Sequence, residues 1–146
     1  MTGTEYANLI ASYIVKNYED RGIPAYREVG IGKSISGKNR RIDILVVCEP
    51  LNDAFSVECK YQDSAGTVDE KIPYALQDIK AMHMGGCIVY AGQGFSEGVL
   101  HMLQGSEIAA WESRVPTSSN ANAVWVPSQK SGLQPQPTEN QPRSRL

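Results

Sequence analysis

The chain has 146 residues and a formal net charge of −2, with a pI of about 5.7; it is long enough for one domain with a core and too short for two of ordinary size. That balance excludes a strongly basic nucleic-acid coat protein, so any DNA contact must come from a local patch. Cys48, Cys59 and Cys87 are odd in number, lie in apolar runs and form no CxxC pair, which excludes a disulfide scaffold and a zinc knuckle.

Thr4 opens a segment in which Tyr6, Leu9, Ile10, Tyr13 and Ile14 recur at helical spacing, predicting an amphipathic helix over about 4–18 that packs on a sheet. Glu5 falls beside the buried stripe near the helix start, where an acid ordinarily complements the helix dipole. Glu19-Asp20-Arg21-Gly22-Ile23-Pro24 carries the stop signals. From Tyr26 to Ile35 the residues Val29, Ile31 and Ile35 alternate with polar neighbours, and Gly37-Lys38-Asn39 turns the chain into a second strand. Lys33, Lys38, Arg40 and Arg41 gather around that turn. Cations on a hairpin tip suit the phosphates of DNA, although a charge run is also what a solvated tip presents.

The stretch from Arg40 to Gln62 reads RRIDILVVCEPLNDAFSVECKYQ. Ile42, Ile44 and Val46 alternate with Asp43, Leu45 and Val47, which predicts a strand buried on both faces, where a lone carboxylate would be costly. Phe55, Val57, Cys59 and Tyr61 alternate strictly with Ser56, Glu58, Lys60 and Gln62, so Glu58, Lys60 and Gln62 share one face. Glu49-Pro50-Leu51-Asn52-Asp53 is short and rich in turn formers, so the two strands pair antiparallel and Asp43 comes beside Glu58. Two carboxylates and an ammonium converging there offer hard oxygen ligands to a divalent cation of the magnesium type. The plainer alternative makes Glu58, Lys60 and Gln62 the solvated face of a half-exposed strand.

Beyond Gln62, a loop over 63–67 leads to Ile72, Ala75, Leu76, Ile79 and Met82 at helical spacing, a second helix reaching about Met84 with Pro73 in its first turns. Its start falls just past the Lys60 strand, which puts Lys71, Tyr74 and Gln77 within reach of a substrate phosphate. Cys87-Ile88-Val89-Tyr90-Ala91 is a short apolar strand, Ser96-Glu97 starts a third helix, and Ile108-Ala109-Ala110-Trp111 is another apolar run. Strand, helix and strand in that order predict a parallel pair beside the three antiparallel strands, hence an α/β fold with a mixed sheet and helices on its faces. His83 and His101 have no partner at ligand spacing. From 116 to 146 the composition turns to Pro, Ser, Asn and Gln, with only Val124-Trp125-Val126 apolar; such a tail is expected to stay disordered beside a domain over 1–115. No secretory signal and no long apolar stretch is seen, so the expectation is a soluble, cytoplasmic protein without a membrane partner.

An apolar strand opening with Ile42-Asp43, a short hairpin, and a strand carrying Glu58-Cys59-Lys60 resembles the PD-(D/E)XK nuclease superfamily, including archaeal-type Holliday junction resolvases. Ile42 stands where the superfamily name has Pro. The resemblance implies a restriction-endonuclease-like αβββαβ core and an endonuclease that hydrolyses DNA with Mg²⁺, or Mn²⁺ in its place. It implies that Asp43, Glu58 and the backbone carbonyl of Cys59 ligate the ion, with Glu5 of the first helix as a further acid. Lys60 would act on water or on the charge of the transition state, and Gln62 on the same face would hold the water or a phosphate oxygen. One site per chain would require a dimer or two binding events to cut both strands, and a homo-oligomer is expected. The competing expectation is a catalytically inactive module on the same fold that binds nucleic acid or a protein partner.

Overall fold

Thr2 caps the first helix with the reciprocal bonds of a capping box. Its hydroxyl accepts the Glu5 amide at 3.2 Å while its own amide donates to Glu5 Oε2 at 2.6 Å. In the computed structural model, which describes residues 1–111, the chain then runs α1 (Gly3–Tyr18), β1 (Ala25–Lys33), β2 (Asn39–Cys48), β3 (Asp53–Tyr61), α2 (Val68–Ala81), β4 (Gly85–Ala91), α3 (Glu97–Gln104) and β5 (Ala109–Trp111). The tail from 116 and its Val124-Trp125-Val126 triplet lie outside the described residues.

The sheet has the order β1-β2-β3-β4-β5. β1, β2 and β3 are antiparallel neighbours, and β3, β4 and β5 are parallel. Parallel neighbours need a crossover, which α2 and α3 supply. This is the mixed α/β architecture expected from the sequence, with the restriction-endonuclease-like order αβββαβ followed by one more helix and strand.

Alternation in β3 sorts its side chains between two cores. Val57 and Cys59 turn to α1 and join Tyr6, Ile10, Ile44 and Val89. On the other face, Ile72, Leu76 and Ile79 of α2 pack with Ile88, Tyr90 and Leu103. Each such side chain contributes roughly 2 kcal/mol by leaving water. β2 departs from the expected burial on both faces: Ile42 and Ile44 are buried, whereas Leu45 and Val47 are half-buried. The reason is that α2 packs on β4 and β3, leaving the far part of β2 to line an open groove with Ile31 and Met82.

The β1–β2 hairpin does not stand free. Ser34 and Gly37 close its turn, with Gly37 at φ 75°, and the register shifts between Gly30 and Lys33, which bends the ribbon as a bulge does. The bent tip is fastened to α2. The Ile35 amide donates to Asp78 Oδ1 at 3.0 Å, Arg40 grips Asp78 through Nε (3.0 Å) and Nη2 (2.6 Å), and the Ser36 hydroxyl meets the Tyr74 hydroxyl at 3.0 Å. The Arg40 and Asp78 side chains are only 13% and 16% exposed. Burial alone would raise the Asp78 carboxyl, but hydrogen bonds from Arg40 and Ile35 and the guanidinium charge hold it below its ordinary value.

Candidate active site

Regular pairing of β2 with β3 runs from Cys48 opposite Asp53 to Ile44 opposite Val57. One residue further, Asp43 Oδ2 accepts the Cys59 amide at 2.9 Å. A side-chain carboxylate thus takes the amide of the central residue of Glu58-Cys59-Lys60, in line with the end of the ladder. Glu58 and Lys60 lie two apart on β3, so the pleat gives them one face, and Lys60 Nζ donates to Glu58 Oε1 at 2.5 Å. Both are recessed, with side chains 26% and 18% exposed.

These two residues line a cavity of about 320 Å³ together with Lys38, Arg41, Lys71 and Tyr74. Among the charged residues of its wall, cations outnumber acids. Burial raises the Glu58 carboxyl above its ordinary 4.5; the Lys60 ammonium lowers it, the Asp43 carboxylate raises it again, and the upward effects prevail. The sign follows from linkage: a carboxyl with a raised folded value adds stability as pH falls through that value, and the gain is complete below 4.5. Carboxyl NMR of the full chain in EDTA is expected to give a Glu58 midpoint above 4.5. A midpoint at or below 4.5 would show that Lys60 outweighs burial.

The donor set suits a magnesium-type ion. The carboxylates of Asp43 and Glu58 and, as the resemblance implies, the Cys59 carbonyl would offer hard oxygens, and such an ion keeps several waters and needs only one or two carboxylates. Among the described residues no group of three or more His, Cys, Asp or Glu is placed to hold a metal, so the protein would contribute a sparse ligand set. The Cys59 thiol is not part of it. It is buried in the α1 core, and burial first, then the charges of Asp43 and Glu58, push the thiol far upward; burial likewise raises Cys87 to about 12.

Other residues singled out in the sequence fall differently. Glu5 is exposed and its carboxylate is engaged by Thr2, whose bonds lower its pKa; the observed bonds are those of an N-terminal cap, not of a metal ligand. Gln62, expected to hold water or phosphate, is 5% exposed and has its amide committed. Nε2 donates to Asp69 Oδ1 (2.9 Å) and to the Gly94 carbonyl (2.8 Å), while Oε1 accepts the Val68 amide (3.1 Å). With both donors used, it acts as a clamp among β3, α2 and the loop after β4. Gly92, at φ 102°, lies so close that a Cβ there would strike the Gln62 backbone. Lys33 donates to Asn39 Oδ1 at 2.6 Å across the hairpin, and Arg40 is held by Asp78. Lys38, Arg41 and Lys71 line the cavity. Asp78 and Ser36 were not singled out; the signal for Asp78 was its spacing of four from Tyr74 on one helix.

A family model described as a PD-(D/E)XK nuclease superfamily domain matches residues 2–126. The chain belongs to this superfamily. PD-(D/E)XK nucleases generally use divalent metals, consistent with the oxygen donors above. Two solved structures are similar at low identity. One is the crystal structure of a protein of unknown function, at 13% identity and TM-score 0.45, covering 70% of this chain and 54% of that one. The other is a repair endonuclease from Pyrococcus abyssi, at 18% identity and TM-score 0.39, covering 71% of this chain and 43% of that one. The chain spans about half the length of these structures. No curated protein matches it. Among the described residues no helix is long and apolar enough to cross a membrane.

Proposed function

We propose that the protein is a Mg²⁺-dependent endonuclease that hydrolyses DNA phosphodiester bonds at Asp43, Glu58 and Lys60. The observation that carries this reading is the Asp43 bond to the Cys59 amide, which sets one carboxylate against the Glu58–Lys60 pair. Asp43, Glu58 and the Cys59 carbonyl would hold the ion. When bound, it would polarise the phosphate and lower the pKa of attacking water. The chain's own groups do the rest. Lys60 carries its positive charge into a recessed wall, where it offsets the negative charge that builds on the phosphate oxygens. Lys38, Arg41 and Lys71 would position the neighbouring phosphates. Burial of Glu58 keeps its carboxylate from spending its charge on bulk water.

The test is incubation of the purified chain with supercoiled plasmid and with a branched-junction oligonucleotide, in Mg²⁺ and in EDTA, alongside Lys60→Ala. Cutting is expected only in Mg²⁺, reduced about a hundredfold or more in the variant, with DNA retention preserved. Unchanged retention with no cutting by the parent chain would leave a binding module. One site per chain makes cleavage of both strands the work of two copies, so double-strand breaks should rise with the square of protein concentration when it is limiting.

A further inference from the structure

We infer that the strand entering the active-site cavity is unpaired, so that the substrate class is single-stranded DNA or the single-stranded arm of a branched molecule. This deepens the nuclease reading and rests on it for the cutting, but not for the binding.

Three observations converge. Glu58 and Lys60 are recessed, in a cavity of about 320 Å³ whose wall also includes Ser34, Lys38 and Asn39 from the hairpin and Lys71, Tyr74 and Asp78 from α2. Hairpin and helix are tied to each other through Asp78 and Tyr74, so the two sides of the cavity are joined by a strap. A duplex is stiff, and bringing one of its phosphates deep into a strapped recess costs bending or local distortion, which a flexible single strand avoids. Finally, Tyr74 is 40% exposed and lines the cavity with Lys38, Arg41 and Lys71. Cations along a groove with an aromatic ring among them form the arrangement that holds single strands, the cations on the backbone and the ring under a base.

The geometry also assigns Tyr74 two separable tasks. Its ring would carry a base, and its hydroxyl fastens Ser36 of the strap. Tyr74→Phe keeps the first and loses the second; Tyr74→Ala loses both.

The experiment is fluorescence anisotropy of the full chain in EDTA at low salt, with a labelled single-stranded oligodeoxynucleotide and a blunt duplex of the same sequence. The single strand is expected to bind about tenfold tighter or more. Tyr74→Ala should weaken single-strand binding roughly tenfold, and Tyr74→Phe should stay within about threefold of the parent, with circular dichroism confirming the fold of each. Equal or tighter binding of the duplex would overturn the inference, as would Tyr74→Ala binding the single strand like the parent. Equal losses in Ala and Phe would remove the stacking role and with it the inference. In Mg²⁺, the same oligonucleotides separate the two readings. Single-strand preference without cutting defeats the nuclease and leaves the strand selectivity, whereas cutting of the blunt duplex as fast as the single strand defeats the selectivity and leaves the nuclease.

Discussion

Asp43→Asn is expected to abolish DNA cleavage, by about a hundredfold or more, while leaving the melting temperature close to that of the parent. The substitution is informative because the side chain does two things at once. Asp43 Oδ2 accepts the Cys59 amide, and an Asn carbonyl oxygen accepts the same bond at the same reach, so the junction of β2 and β3 keeps its amide satisfied. What Asn cannot replace is the charge. A neutral amide is a poor ligand for a hard divalent ion, which wants carboxylate oxygens. It also removes the repulsion that helps to raise the Glu58 carboxyl, so in EDTA the Glu58 midpoint should move down in this variant. Asp43→Ala is the contrasting control: it loses cleavage and also about 1–2 kcal/mol of stability, because the Cys59 amide is left without its acceptor. Cleavage by Asp43→Asn within a few-fold of the parent would mean that the Asp43 charge is not used, and the proposed ligand set would fall.

The Asp43–Glu58–Lys60 group was legible because it depends on one local rule. Strict alternation from Phe55 to Gln62 fixes which residues share a face, and a short Glu49–Asp53 connection leaves little choice but an antiparallel neighbour. The order of strands and helices was legible for the same reason, since period-2 and period-3.6 segments alternate cleanly along the chain. Glu5 shows the opposite case. Thr2 followed three residues later by Glu5 is itself a capping signature, and this local signal describes the observed bonds. The folding of the hairpin over α2 was not legible. It depends on Asp78 meeting Ile35 and Arg40 across 43 and 38 residues of sequence, and no pattern within the hairpin names its distant partner. Lys33, Arg40 and Arg41 looked equivalent as charges, yet their partners Asn39, Asp78 and Glu28 distribute them between structure and surface.

Gln62→Ala is expected to cost about 3 kcal/mol of stability, a fall of roughly 10 °C in melting temperature for a chain of this size, with cleavage per folded molecule little changed at low temperature. Gln62 follows β3 directly and continues the face of Glu58 and Lys60, which is why alternation alone makes it a candidate for holding water. Its bonds say otherwise. Both Nε2 hydrogens are spent on Asp69 and Gly94, and Oε1 is spent on Val68, while its backbone amide donates to Ala91 and its carbonyl accepts from Gly94. The side chain therefore joins the end of β3 to the first residue of α2 and to the loop after β4, and truncation strands polar groups at each contact. Gln62→Glu sharpens the point. A carboxylate there still accepts the Val68 amide but faces the Asp69 carboxylate and the Gly94 carbonyl, so its pKa should be raised and the variant should regain stability as pH falls and the new carboxyl takes up a proton. Thermal melts of the parent and both variants between neutral and mildly acid pH, paired with cleavage rates below the transition, decide the matter. If Gln62 instead held the attacking water, Ala would lower the turnover rate at an unchanged melting temperature.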